Sequence, residues 1–292
     1  MDCVKIDAHV HLWDMEDGRV DGRPVYSVGN GKVDFGGEIR QMMPPYMDDN
    51  KNTIERLIAN MDYARVNGCV VTQEYIDGNQ DEYLLNVRKK YSDRVRVCSL
   101  YEERTDFRID GFDGVKICAS RLQNQDLRLL LPVFKKVEEA GKFISIDMAD
   151  GANQVEGLQF LVDNCPNLRV AIGHFGMVTT KGWEEQIKLA KNKNVYVESG
   201  GLTWLFSKEW YPFPGAVSAI VTAKNICGIE KLMWGSDYPR TMTEITYPMA
   251  TRFLEETSEL TEDEKKAFLG GNAMKFYGFS GFEPLPGIVN ML

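Results

Sequence analysis

Ile6-Asp7-Ala8-His9-Val10-His11-Leu12-Trp13-Asp14 reads as a short buried strand that ends in charge-bearing chemistry. In an extended chain, side chains two residues apart share a face. Asp7, His9 and His11 are therefore expected to point one way, and Ile6, Ala8 and Val10 the other. Two imidazoles one pleat apart can face a single divalent cation or a polarised water. The only other histidine of the chain is His174. A His-x-His pair alone is a weak signal, and its weight depends on what else converges on it.

Working outward, the next stretch, 12–52, is rich in Gly, Asp, Pro and Met and reads as a long irregular loop of functional or mobile character. A helix follows, opened by Asn52 with Glu55 three residues on, as in a capping box, and closed near Gly68. From there strands and helices alternate. Short apolar strands are expected at 69–73, 95–100, 114–118, 143–147, 169–174, 195–199 and 231–237. Amphipathic helices are expected at 129–140, 155–164, 183–190 and 216–226, with a last one capped by Thr261 and Glu264 and ending near Gly270-Gly271. Buried strands alternating with helices imply parallel pairing. With the first strand they number eight, which predicts an α/β fold closed into a (β/α)8 TIM barrel, one domain over 1–279, followed by a surface tail, 280–292. An open doubly wound sheet would carry a Gly-rich turn after its first strand. Here that position holds His11-Leu12-Trp13-Asp14, so the barrel is favoured.

Composition excludes several classes. A formal charge of −9 without a basic cluster argues against a nucleic-acid partner. Six cysteines lie far apart with no Cys-x-x-Cys, the pattern of buried thiols in a reducing compartment, so a cytoplasmic address is expected. No basic-then-apolar leader opens the chain and no apolar run reaches bilayer length, so no membrane association is expected.

In such barrels the active site lies at the C-terminal ends of the strands. The polar residues expected there are His9 and His11, Gln73 and Glu74, Lys116, Asp147, His174, Glu198 and Ser199, and Asp237. All three histidines fall in this set. His9, His11 and Asp237 make a two-imidazole, one-carboxylate donor set suited to one divalent ion, zinc or manganese. Asp237 is also a candidate base for an attacking water. His174 is a candidate further ligand or a group that polarises a substrate carbonyl. Asp7 reads as a buried carboxylate orienting one of the first two histidines. Lys116 either pairs with Asp147 or holds an anionic substrate. Arg121, Gln73, Trp204 and Arg240 are the other substrate-binding candidates, since arginine suits a carboxylate and aromatic faces suit a ring. Trp13, Tyr75 and Tyr238 share that loop position. The aromatic-rich 204–214 segment reads as a lid or a homodimer contact.

The opening Ile6–Asp14 stretch, Gly173-His174, Met233-Trp234-Gly235-Ser236-Asp237-Tyr238-Pro239 and Gly271-Asn272-Ala273 resemble the amidohydrolase superfamily, most closely its amidohydrolase 2 branch. The resemblance covers nearly the whole chain. It implies a slightly distorted barrel with one metal ion or none, and water activated by the strand-eight aspartate. His9 and His11 match the strand-one pair, His174 the strand-six histidine and Asp237 the strand-eight acid. Where metal-dependent relatives place a strand-five histidine, this chain has Asp147, itself able to serve as an oxygen ligand. That departure resembles the lactonase subgroup, which includes a member that works without metal. The expected activity is thus hydrolysis of an ester or lactone, a small sugar-acid or carboxylated lactone. The rivals are a decarboxylase of an aromatic acid and a catalytically degenerate binding protein.

Overall fold

The computed structural model describes residues 1–289. β1 (Ile6–Val10) is followed by four strands of an inserted sheet, β2 (Asp17–Val20), β3 (Arg23–Gly29), β4 (Lys32–Phe35) and β5 (Ile39–Gln41). The remaining barrel strands are β6 (Gly68–Val71), β7 (Val95–Leu100), β8 (Gly114–Cys118), β9 (Phe143–Asp147), β10 (Arg169–Ile172), β11 (Val195–Glu198) and β12 (Leu232–Met233). Eight strands, β1 and β6 to β12, lie in sequence order in one parallel sheet, with helices between successive strands except β7 and β8, a single-domain (β/α)8 TIM barrel. The ring is drawn shut where Ala8 N donates to Trp234 O (2.9 Å), Asp237 N to His9 O (2.9 Å) and His11 N to Tyr238 O (2.8 Å). The last strand is shorter than its apolar run: only Leu232–Met233 pair with β11, because the chain then turns across to β1.

The 12–52 stretch is not irregular. Asp21-Gly22, Asn30-Gly31 and Gly36-Gly37 all take positive φ and link β2 through β5 as an antiparallel meander. Such pairs favour tight hairpins because both central residues must adopt the left-handed conformation. The sheet encloses a small core of its own, with Trp13, Val25, Val33, Met43 and Met47 buried together.

Helix boundaries moved where side chains found other partners. Thr53, not Asn52, precedes the helix Ile54–Ala64, and Asn52 Nδ2 donates instead to His11 O at 2.6 Å. That helix ends on Arg65 in the left-handed conformation, which leaves Gly68 free to begin β6. The last helix does start on the Thr261–Glu264 capping box, but runs past Gly270-Gly271 through a π turn to Tyr277. Thr261→Ala removes an acceptor from the Glu264 N–H and should lower unfolding stability by about 1 kcal/mol in urea titration. An unchanged midpoint would show the cap to be idle.

A β-bulge decides which way β1 points. The pairing register with β6 shifts between Asp7 and Val10, and such bulges re-aim side chains beside active sites. Ile6 and Ala8 consequently pack with Val70, Cys98, Phe143, Ala171 and Met233 and with Phe276 and Tyr277 of the last helix. Asp7 does not share a face with the histidines. Its Oδ1 accepts from the backbone N–H of His9 (3.1 Å) and Ser236 (2.8 Å), and its Oδ2 from Tyr247 Oη (2.7 Å). Asp7 thus ties β1 to the segment after β12 rather than orienting an imidazole, and burial pushes its carboxyl up to about 7. All six cysteines are free, and Cys69, Cys98 and Cys118 are buried in strands. No helix among the described residues is long and apolar enough to cross a membrane.

Candidate active site at the C-terminal mouth of the barrel

Both site ends of the chain are held in backbone conformations that resist substitution. His174 (φ 53) and Asp237 (φ 63) are left-handed, a state costing about 1–3 kcal/mol for an ordinary residue and kept only where surroundings enforce it. Asp237 is enforced by its N–H bond to His9 O, and His174 by its N–H bond to Glu198 Oε1 at 3.2 Å. His174 therefore lies just past β10, in a turn, rather than on the strand.

His9, His11 and Asp237 do converge. His9 Nε2 and His11 Nε2 are 3.1 Å apart, His11 Nε2 is 3.0 Å from Asp237 Oδ1, and His9 Nε2 is 3.9 Å from the same oxygen. A tetrahedral ion with ligand bonds of about 2.0–2.1 Å sets its ligand atoms roughly 3.3 Å apart, so the trio has a fitting spread. The donor chemistry agrees. Glu198 Oε1 sits 2.7 Å from His9 Nδ1 and accepts a hydrogen bond from its N–H, leaving Nε2 as a lone pair aimed at two further acceptors. Acceptors packed this closely need a proton or a cation among them. His9, Asp147 and His174 form a second possible trio, sharing His9.

Electrostatics divides the cluster. Burial opposes every charge here, yet Asp237 is held well below the usual carboxylate range by its hydrogen bond from His11 and the nearby imidazoles. Trp204 Nε1 donates to its other oxygen at 2.7 Å. Burial likewise opposes a charge on His174, but the Asp147 carboxylate lifts it to about 10. Its Nδ1 donates to Gly200 O at 2.9 Å, which turns Nε2 toward Asp147 Oδ2, 3.5 Å away. His9, with burial as the largest influence, is pushed down.

Two chambers open on this cluster. One of about 490 Å³ is lined by His11, Glu74, His174, Trp204, Asp237 and Arg240, with Arg40, Gln41 and Met42 of the inserted sheet as its outer wall. The other, about 200 Å³, is lined by Glu74, Ser120, Arg121, Asp147 and His174. Arg121 and Ser120 also border a surface groove of about 1020 Å³ beside the β2–β3 hairpin, where Tyr75 lies.

The expected substrate residues divide accordingly. Arg121, Trp204 and Arg240 line chambers, although the Arg240 guanidinium is already bound to Asp77. Gln73 does not: its amide nitrogen donates to Asp81 Oδ1 (2.8 Å) and Cys98 O (2.7 Å), and its oxygen accepts from Gln80 N (2.8 Å), so it is a buried brace. Lys116 lines neither chamber. It is fully buried and lies 2.6 Å from Asp147 Oδ2, outside both chambers, so of the two roles open to it the pairing holds. Trp13 and Tyr238 are buried. In the 204–214 segment Trp204 reaches Asp237, whereas Trp210 is 81 % exposed.

Two carboxylates carry contacts for which no role was expected. Glu198 was noted only as a strand end; three glycines make room for it and for His9. A Cβ at Gly200 would stand 2.9 Å from both Glu198 Oε2 and His9 Cγ, one at Gly235 2.8 Å from Glu198 Oε2, and one at Gly173 2.9 Å from Glu198 Oε1. Small residues at the ends of neighbouring strands were the available signal. Asp77, in the loop after β6, was not singled out, and its Oδ2 lies 3.1 Å from His11 Nδ1.

Glu16 is 4 % exposed with no hydrogen-bond partner on either oxygen, and burial pushes its carboxyl up to about 8. Between its unfolded value near 4.5 and about 8 the folded protein holds a proton that the unfolded chain releases. Stability from this site therefore falls as pH rises through that window. Glu16→Gln should be more stable than the parent at pH 8 by up to roughly 4 kcal/mol, at about 1.4 kcal/mol per tenfold change in proton affinity, and equal to it near pH 4. Melting curves of both proteins across that range check it; a constant difference would refute it.

A closed α/β barrel with imidazoles and carboxylates gathered at its C-terminal mouth is the arrangement of a barrel enzyme. The chain belongs to the amidohydrolase family: the family model described as amidohydrolase matches residues 6–279. No curated protein sequence matches it significantly. Among solved structures, a proposed 2-pyrone-4,6-dicarboxylic acid hydrolase from Pseudomonas putida aligns with TM-score 0.67 at 18 % identity, over 97 % of this chain and 100 % of the other. A zinc-bound amidohydrolase from Burkholderia multivorans aligns with TM-score 0.67 at 16 % identity, over 95 % of this chain and 100 % of that one. A manganese-bound 5-carboxyvanillate decarboxylase from Novosphingobium aromaticivorans aligns with TM-score 0.55 at 18 % identity, over 76 % of this chain and 79 % of that one. These identities carry the fold and no more.

Proposed function

We propose that the protein hydrolyses an ester or lactone of a small, oxygen-rich acid, with Asp237 as the base and His174 beside the reacting carbonyl. The observation that carries this reading is the convergence of His9 Nε2, His11 Nε2 and Asp237 Oδ1 at the edge of an open chamber. Those three residues would hold one divalent ion, zinc or manganese, which supplies acidification of a water that Asp237, so far below its usual range, is too weak a base to deprotonate alone. Asp237 accepts the proton of the attacking water, with Trp204 and His11 keeping both oxygens aimed into the chamber. The water oxygen bonds to the carbonyl carbon, the carbon–oxygen ester bond breaks, and the leaving alkoxide takes the proton held by Asp237, which gives the hydroxy acid from a lactone and returns Asp237 to its carboxylate. His174, charged through the neutral range, places a positive charge where the oxyanion develops, and Arg121 on the same wall suits a carboxylate on the substrate. A proposed 2-pyrone-4,6-dicarboxylic acid hydrolase shares this fold, so the scaffold is compatible with the lactone class.

The test is a panel of sugar lactones and carboxylated lactones assayed before and after chelation, alongside elemental analysis of the purified protein. Hydrolysis that falls on chelation and returns with zinc or manganese is expected. Carbon dioxide release from carboxylated aromatics, with every lactone inert, would reassign the reaction to a decarboxylase.

A further inference from the structure

The inserted sheet has two edges, and one of them is covered. Along β2, Asp17 N donates to Asp77 O (3.3 Å) and Arg19 N to Tyr75 O (2.8 Å), which seats that edge on the loop after β6. Gly18 permits the fit, since a Cβ there would fall 1.9 Å from Ile76 O. The other edge is β5, Ile39–Gln41, and all of its residues are exposed. An exposed edge offers a row of backbone donors and acceptors to another strand.

The bonding pattern inside the sheet fixes which groups that edge presents. Phe35 N donates to Glu38 O (2.8 Å) and Met42 N to Gly31 O (2.9 Å), with Val33 paired to Arg40 between them. The alternation of an antiparallel ladder therefore commits residues 38, 40 and 42 to β4 and turns the N–H and C=O of Ile39 and Gln41 outward. A second copy of β5, antiparallel about a two-fold axis, matches these groups when Ile39 lies opposite Ile39. In that register Glu38 of each copy lies opposite Arg40 of the other. The neighbouring in-phase registers, slipped by two residues either way, set Arg40 against Arg40 or Glu38 against Glu38. Unlike charges directly opposite stabilise a strand pair and like charges destabilise it. The sequence Glu38-Ile39-Arg40 thus selects one register for pairing with itself. In the single chain the two side chains form an exposed ion pair with each other, Arg40 Nη2 to Glu38 Oε2 at 2.7 Å.

The two faces of the edge agree with this partner. Register places Tyr26, Asp34 and Ile39 in one row on the face turned away from the sheet's core, and Arg40 with Val33 on the other. Tyr26 is 48 % and Ile39 53 % exposed, so the pairing also brings apolar surface of the two copies together. On the inner face Arg40 lines the chamber with Gln41 and Met42, which sets the ion pairs at its rim. We propose that β5 is a self-association edge. Two copies of this chain pair antiparallel through Ile39, exchange two backbone hydrogen bonds there and form two reciprocal Glu38–Arg40 ion pairs, which joins their inserted sheets into one. The pairing depends on neither the metal nor the reaction proposed above.

So short an edge buries little area, and the dimer should be weak and concentration-dependent. Sedimentation velocity across a range of protein concentrations should show a monomer–dimer equilibrium for the parent. Glu38→Arg and Arg40→Glu each set like charges opposite and should each weaken association about tenfold or more. The double variant, which exchanges the two charges, should recover the parent's dimer. Ile39→Pro removes both central donors and should leave only monomer. Its N–H faces outward, and an edge strand tolerates proline at such a position, which an unchanged melting temperature checks. Should that variant melt early, the charge exchange decides alone. A parent that stays monomeric at every concentration overturns the proposal and leaves the edge to a strand of another protein or to solvent. A dimer that withstands the single variants overturns it too, and moves the interface to another surface such as the 204–214 segment. Single variants that weaken the dimer without recovery in the double variant overturn the register.

Discussion

Asp237→Asn should reduce hydrolysis of the responding lactone about a thousandfold or more while leaving the circular dichroism spectrum unchanged. Losing a positioned general base typically costs 10²–10⁴-fold, and this residue is proposed both as the base and as the third donor of the trio it forms with His9 and His11. Asparagine is the informative replacement because Asp237 is left-handed, with φ 63, and asparagine tolerates that conformation where alanine or valine would add strain. The amide also retains an oxygen for Trp204 Nε1, so the chamber wall is undisturbed. What disappears is the negative charge. Turnover in the variant within tenfold of the parent would remove Asp237 from the mechanism.

Lys116→Met is expected to destabilise the fold by about 3 kcal/mol, because it strands the Asp147 carboxylate in the barrel without its counter-charge. Burial works against both charges, and their mutual attraction keeps Lys116 raised and Asp147 well below its ordinary value. The figure lies at the low end for a broken buried pair because His174 stands 3.5 Å away and can share the charge. The deficit should narrow as the pH falls, since a protonated Asp147 no longer needs a partner. Lys116→Met combined with Asp147→Asn should recover at least half of the loss. Urea titrations of the parent, both single variants and the double variant measure this coupling. A single Lys116→Met variant as stable as the parent would mean that the pair contributes nothing.

Much of this was readable from short-range pattern. β9 and the helix Val155–Asn164 fall where periodicity placed them, because an apolar run between turn residues needs no distant partner to be recognised. The inserted sheet was missed although Asp21-Gly22, Asn30-Gly31 and Gly36-Gly37 are local hairpin signals. Its strands are thin, with Val25 and Val33 their buried apolar anchors, so hydrophobic alternation was too sparse to register. Gln73 and Lys116 show a different limit of short-range pattern. Their position at strand ends was right, but their polar atoms are consumed by Asp81, Cys98, Gln80 and Asp147, which position along the chain does not reveal.

The sequence by itself determined the barrel and nominated His9, His11, His174 and Asp237, because strand–helix alternation and residue chemistry are local properties. Only the tertiary structure decided that a bulge turns Asp7 away from the histidines, that Glu198 and not Asp7 grips His9, and that Asp77 stands behind His11. Those pairings join residues as many as 189 positions apart. They depend on ångström-scale register between strands and on an inserted sheet docking against a loop. The pattern of residue types along a chain carries the periodicity of each element but not the offset of one element against another.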